Sequence, residues 1–227
     1  MTYPYSFPTR IRALEERLFA GELSGHDPKL MKNQKDFWLY RPSHHIATGL
    51  ITEEDIELLK KPDRRLLSVG ACPAYLERLL IELGVPADNI LVADNDPALS
   101  DIPGPIQKII FDMNEAWPLT GTFDRIIFPE SLCISISDRM REDPKPVTSS
   151  EPHPTDARES ELLAAILRQA LERLKPGGII RANGPMSHPN VMALMSRKLQ
   201  EKGLTPVIDC QRFFLKLQPC RSSLRSE

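Results

Sequence analysis

Two hydrophobic periods run along the chain, and the switch between them near Pro62 divides it. Before that point the spacing is helical. In residues 8–22, PTRIRALEERLFAGE, the side chains of Ile11, Leu14, Leu18 and Phe19 fall on one face of a helix. DPKLMKNQKDFWLY, residues 27–40, predicts a second helix, and ITEEDIELLKK, residues 51–61, a third. The third carries its own start signal, because Thr52 is an N-cap candidate with Asp55 three residues on. Residues 1–62 therefore read as a helical N-terminal appendage, and residues 63–227 as the main domain.

After Pro62 short apolar runs alternate with helical stretches. RLLSVG (65–70), NILVAD (89–94), QKIIFD (107–112), FDRIIF (123–128) and GIIRAN (178–183) read as five strands. AYLERLLIELG (74–84), ending at Gly84, and ESELLAAILRQALERL (159–174), closed by KPGG, read as helices between them. Strands alternating with helices predict a parallel sheet with right-handed crossovers and helices on both faces. One more helix, NVMALMSRKLQEKG (190–203), precedes LTPVIDC (204–210) and QRFFLKLQ (211–218), two strand-like runs with almost nothing between them. Only a hairpin fits so short a connection, so the final pair is expected to be antiparallel. The fold class is therefore α/β, a mostly parallel, doubly wound sheet finished by an antiparallel hairpin.

Composition narrows the possibilities. A chain of 227 residues, 41% of them hydrophobic, is long enough to bury an ample core. Its 21 prolines gather at element ends and in residues 143–154, so they punctuate a compact fold. The net charge of -2 and pI near 6.2 give no general attraction to nucleic acid or to an anionic membrane. No apolar run approaches the roughly 20 residues of a membrane span, and the first residues lack the apolar core of a signal peptide, so the expected location is the cytoplasm. Four cysteines, at 72, 133, 210 and 220, form no CxxC pair and no ligand-like spacing with the five histidines, so no metal site is expected.

Four segments carry a resemblance to a known family: LLSVGACPAYLERLL (66–80), ILVADNDPAL (90–99), FDMNEAWPLTGTFDRIIF (111–128) and ALERLKPGGIIRANG (170–184). In this order and spacing, over about two thirds of the chain, they resemble the class I S-adenosylmethionine-dependent methyltransferases. That resemblance implies a Rossmann-like sheet of seven strands ending in a hairpin, with S-adenosyl-L-methionine as cofactor. The family pattern after the first strand is an acidic residue followed by glycines at alternate positions. Here those places hold Ser68, Gly70, Cys72 and Ala74, with Ala71 and Pro73 between them. Small residues suit a loop whose backbone approaches the methionine part of a cofactor. Ser68 lacks the charged acceptor, and Cys72 adds a side chain where close approach is expected.

By the same resemblance Asp94, 24 residues after Gly70, is the ligand of a ribose diol, with Asn95 beside it and Asp96 as a second candidate. DNDP is also turn-prone, so a turn aspartate is the structural alternative. Asp112 and Met113 match the position where a carboxylate meets the adenine amino group and an apolar side chain covers the ring. Trp117 is expected to pack beneath the loop, and Asp124 to stabilise the turn before the fourth strand. Gly177 and Gly178 are expected to end the long helix at a left-handed cap.

Methyl transfer from a sulfonium requires approach geometry and, for a protonated nucleophile, a base. After the fourth strand, PESLCIS (129–135) places Glu130 at the edge where ligands bind, and His188 follows the fifth strand at the same edge. PESLCIS differs from the Asn/Asp-Pro-Pro-Tyr type motif that grips planar amino groups, which turns the expectation away from adenine or glutamine N-methylation. DFWLYRPSHHIATG (36–49) offers Trp38, Tyr40, Arg41, His44 and His45 as substrate-binding groups. A polar, proline-rich insertion, residues 138–158, reads as a lid or a disordered segment. The leading expectation is methyl transfer to a small molecule. The same fold also admits transfer of the aminocarboxypropyl arm, or a binding or scaffold protein without catalysis. A nicotinamide oxidoreductase would share the first strand and loop, but no GxGxxG or Tyr-x-x-x-Lys appears.

Overall fold

A computed structural model describes residues 9–19, 41–102, 104–129, 131–132, 136, 154–183, 189–205, 207–211 and 214–218. Seven strands form one sheet: β1 (Leu66–Val69), β2 (Ile90–Asp94), β3 (Gln107–Ile110), β4 (Phe123–Phe128), β5 (Leu174–Asn183), β6 (Val207–Gln211) and β7 (Phe214–Gln218). Their order is β3-β2-β1-β4-β5-β7-β6. β1 to β5 pair in parallel, and β7 runs antiparallel to both β5 and β6. The mostly parallel sheet and the terminal antiparallel pair are as the sequence predicts.

Six α-helices are described: α1 (Thr9–Phe19), α2 (Pro42–Ala47), α3 (Glu53–Leu59), α4 (Tyr75–Glu82), α5 (Pro154–Glu172) and α6 (Pro189–Glu201). The expected helix over 27–40 and residues 138–153 of the proline-rich insertion lie outside the described residues. Residues 154–158, the end of that insertion, belong to the start of α5. α3 begins at the expected cap. Thr52 Oγ1 accepts from Asp55 N–H at 3.3 Å, and Asp55 Oδ2 accepts from Thr52 N–H at 2.9 Å, which completes a capping box.

The sheet feeds two cores because successive side chains along a strand point to opposite faces. On one face Leu67, Val69, Ile126, Phe128 and Ile180 pack with Ile166 and Leu167 of α5 and Met195 of α6. On the other, Leu66, Ile90, Val92 and Ile127 pack with Ile56 and Leu59 of α3 and with Leu76 and Leu80 of α4. All four residues of β1 are buried, as a parallel strand covered on both faces requires. α1 lies over α4, where Ile11 and Leu14 meet Leu79. Residues 75–80 of α4 are consequently buried on every side.

An ion cluster fastens α3 to the sheet. Asp55, 1% exposed, receives Arg125 Nε from β4 on Oδ1 and Arg181 Nη1 from β5 on Oδ2. Burial pushes its carboxyl upward, but Arg181, then the bonds from Arg125 and Thr52, outweigh it and hold it below the usual aspartate range.

Two local expectations are corrected. KPGG does not cap the long helix: α5 ends at Glu172, and Leu174 already pairs with Phe123 of β4. Gly177, with φ of +77°, and Gly178 lie inside the β5 span, where the register jumps between Leu174 and Ile179. The extra residues loop out as a bulge, which is where glycine is tolerated in a strand. Asp124 lies within β4, as expected, but its carboxylate bonds elsewhere than to the turn before that strand. Its Oδ1 accepts from Arg64 Nη1 at 2.7 Å, and its Oδ2 from Arg65 N–H and Lys175 Nζ, each at 2.8 Å. It therefore joins the approach to β1 with the start of β5.

Replacing Asp55 with Asn leaves two sheet arginines without their counter-charge, so denaturant unfolding should show a loss of about 3–5 kcal/mol. Because the folded carboxyl is held low, its contribution is complete above the ordinary aspartate range and disappears as pH falls through the folded value. Acid titration of stability should therefore show a shallower slope in Asp55→Asn than in the native chain.

Candidate functional site

The carboxyl ends of β1, β2 and β3 lie side by side, and hydrogen bonds link them. Gly70 N–H donates to Ala93 O at 2.7 Å, and Phe111 N–H donates to Asp94 O at 3.0 Å. Cys72 N–H donates to Asp94 Oδ2 at 2.8 Å, tying the loop after β1 to the acidic end of β2. Asp96 N–H donates to Asp94 Oδ1 at 2.9 Å. Each Asp94 oxygen thus takes one backbone bond and keeps further acceptor capacity. Asn95 and Asp96 are exposed, and Asp96 caps the short 3₁₀ turn Pro97–Asp101 through Ala98 N–H at 2.9 Å.

The loop retains the backbone that its glycine pattern serves. Gly70 has φ of +71°, and a Cβ there would lie 2.1 Å from Ser131 Cβ and 3.2 Å from Met113 Cε. Only glycine fits. Ser131 secures the approach by donating Oγ to Val69 O at 2.6 Å. Ala74 stands at the third glycine place, yet keeps a left-handed backbone with φ of 60°. Its buried methyl packs in the core beneath the loop, which offsets the roughly 1–2 kcal/mol that conformation costs. Cys72, following Ala71 and joined to Pro73 by a cis peptide, packs partly against the same core. Burial, then the carboxylates of Asp94, Asp96 and Glu77, push its thiol up to about 12, so it stays protonated and unreactive.

Met113 is buried with its Cε close to Gly70, and its carbonyl accepts from Trp117 Nε1 at 2.9 Å. Trp117 packs below, between Phe111 and Phe128. Asp112 Oδ1 accepts from Asn114 N–H at 2.9 Å and Asn114 Nδ2 at 2.8 Å.

A cleft with about 20 Å³ of space, enough for one water, opens beside this loop between Gly70, Ala71, Cys72, Glu77, His45 and Pro129. His45 comes from α2 and is 4% exposed. Asn183 Nδ2, at the end of β5, donates to His45 Nδ1 at 3.0 Å and to Thr48 Oγ1 at 3.1 Å. The first bond requires a lone pair on Nδ1, leaving the ring hydrogen on Nε2. Burial, then neighbouring His44, lower the imidazole to about 3, so it is neutral at physiological pH. His44 is half-buried, edge-on to His45 at 5.6 Å. Arg41 is exposed, with Nη1 3.6 Å from Glu15 Oε1, and it does not line the cleft. Trp38, Tyr40, Glu130 and His188 lie outside the described residues.

Ser68, Glu77, Ser131 and Asn183 complete this edge. Ser68 is fully buried, and among the described residues neither its Oγ nor Glu77 Oε1 has a hydrogen-bond partner. Burial, with Asp94 adding repulsion, pushes the Glu77 carboxyl up to about 7, although the nearby Ser68 hydroxyl favours the charged form. Sequence reasoning does not single out Glu77, Ser131 or Asn183. A glutamate in an amphipathic helix reads as solvent-facing, and only the cover of α1 and α2 over α4 overturns that. Among the described residues, no group of three His, Cys, Asp or Glu side chains is arranged to hold a metal ion.

The strand order, the antiparallel β7 and the linked carboxyl edge define the fold as the Rossmann-like sheet of class I methyltransferases. No family model and no curated protein matches the chain. Similar solved structures include SAM-bound CalS10, an amino pentose methyltransferase from Micromonospora echinaspora, at 17% identity, 60% coverage of this chain and a TM-score of 0.40. The chain spans 48% of the length of CalS10. The sugar N-methyltransferase KedS8 from Streptoalloteichus sp ATCC 53650 is 12% identical, covering 77% of this chain and 90% of its own, with a TM-score of 0.48. The N-methyltransferase NodS from Bradyrhizobium japonicum WM9 is also 12% identical, covering 73% and 92% respectively, with a TM-score of 0.42.

Gly70→Ala should destabilise the fold by more than the roughly 1–2 kcal/mol of a left-handed alanine, because the new methyl meets Ser131 as well. Ser131→Gly combined with it should recover part of that loss in denaturant titrations. Glu77 generates a second expectation. Its folded carboxyl holds a proton up to about pH 7 that the unfolded chain releases in the ordinary glutamate range, so native stability falls as pH rises across that window. Thermal melts of ligand-free Glu77→Gln should lack this decline; an identical pH slope in both proteins would refute it.

Proposed function

We propose that this chain is an S-adenosyl-L-methionine-dependent methyltransferase acting on a small molecule. The observation that carries the reading is the Cys72 N–H bond to Asp94, which makes one continuous edge of the loop after β1 and the acidic end of β2. The residues present fit the cofactor: Gly70 leaves no room for a Cβ, Asp94 keeps acceptor capacity for a diol, and Met113 borders the loop. When bound, the cofactor supplies a methyl group on a sulfonium, already activated for in-line displacement.

The chain's own residues divide the work. Gly70, Ala71 and Cys72 shape the approach to the methionine end, with Ser68 beneath them. Asp94 and Asn95 hold the ribose, and Asp112 with Met113 holds the adenine. His45, neutral and fixed by Asn183, gives the cleft an oriented polar wall from which an acceptor is positioned. Trp38, Tyr40, Arg41 and His44 are further candidates for contacts with the acceptor, and Glu130 and His188 are the candidates for removing a proton from it. The near-neutral charge balance favours a small acceptor over nucleic acid or a membrane surface.

Calorimetric titration of S-adenosylhomocysteine tests this reading. The native chain should bind saturably, and Asp94→Ala, verified as folded, should bind at least about tenfold more weakly through loss of charged hydrogen bonds. Absence of binding to folded native protein at millimolar ligand would overturn the reading in favour of a scaffold.

A further inference from the structure

Among the described residues, no cation balances a buried acid that lines the cleft. Glu77 is 1% exposed and lines the cleft, yet its Oε1 has no hydrogen-bond partner among the described residues. Burying such a group unpaired is costly, and a site that retains one is built for a ligand that completes it. The groups around it are Ser68 below, Asp94 and Cys72 on the loop side, and His45 across the cleft. Asp94 repels a second negative charge, the Cys72 thiol is protonated and His45 is neutral, so only the Ser68 hydroxyl and Glu77's own N–H favour the charged form, and neither brings a positive charge. Arg78 follows in sequence, but its own Nη1 is buried without a partner, so it does not supply the missing charge.

Ser68 gives the orphan acid a meaning. Along β1, Ser68 shares a sheet face with Leu66, the face on which α4 packs. Its hydroxyl is unpartnered too, and it occupies the strand position where a carboxylate is expected. A serine there is short enough to leave room for a carboxylate brought in by the helix. Here the acid nearest that position comes from the helix and not from the strand.

We propose that Glu77 binds the α-ammonium group of the amino-acid end of the cofactor, replacing the carboxylate that β1 lacks at Ser68. This inference rests on the cofactor reading above. An ammonium satisfies Glu77 by charge and by hydrogen bonds, and it leaves a donor for Ser68 Oγ. Binding therefore ionises Glu77 and releases a proton near neutral pH.

The test compares two probes on the native protein and on Glu77→Gln: S-adenosylhomocysteine, and 5′-deoxyadenosyl-4-thiobutyrate, which keeps the carboxylate but lacks the amine. Calorimetry in buffers of different ionisation enthalpy measures both affinity and proton exchange. The native protein should bind S-adenosylhomocysteine about tenfold to a hundredfold more tightly than the deaminated probe, releasing a fraction of a proton only with the former. Glu77→Gln should lose that preference and that release while its affinity for the deaminated probe is unchanged. Equal affinities for both probes in the native protein, proton uptake instead of release, or an undiminished preference in Glu77→Gln would each overturn the assignment of Glu77 alone. The native comparison stands even where the variant folds poorly. Failure of both probes to bind the native protein would instead overturn the cofactor reading, and this inference with it.

Discussion

Arg125 and Arg181 rise from neighbouring central strands into the face of the sheet on which α3 packs, and Asp55 supplies the charge that lets them remain there. A buried carboxylate shared by two guanidinium groups contributes little net stability compared with a well-packed apolar trio, but its loss is severe. Its main effect is positional. It fixes α3 against β4 and β5, and with it the neighbouring segment that carries His45. α1 then closes over the outer side of α4. Without those layers Glu77 would meet water.

The loop after β1 separates backbone shape from side-chain identity. Only Gly70 remains of its alternating glycines, yet Ala74 adopts the left-handed backbone that glycine adopts readily. Alanine remains there because its methyl is buried in the core, while Gly70 has no such option beside Ser131. Cys72 uses its N–H to fasten Asp94 and leans partly on the core. A loop that departs from its pattern at three positions thereby preserves the connection between the first two strands.

What was legible in the sequence was local or periodic. The Thr52–Asp55 capping box, the alternating strands and helices and the terminal hairpin all rest on spacing within one element or across one turn. KPGG misled because glycines after a helix resemble a cap, while the pairing of Leu174 with Phe123 is decided by a strand far back along the chain. Asp124 was visible as a structural residue, but its partners Arg64 and Lys175 come from opposite directions along the chain. The candidate loop and the strand-end acids were legible through resemblance and order. Glu77 was hidden, since its burial depends on helices packed over α4 and leaves no mark in the period of α4 itself.

The hydrogen bond between His45 and Asn183 spans 138 positions, and the ion pair between Asp55 and Arg181 spans 126. Both require β5. During vectorial synthesis the first four strands and the loop after β1 therefore leave the ribosome before one wall of the cleft has its partner. The nascent chain therefore holds an unfinished cleft until its last quarter emerges, and that wall is completed only when β5 inserts into the sheet.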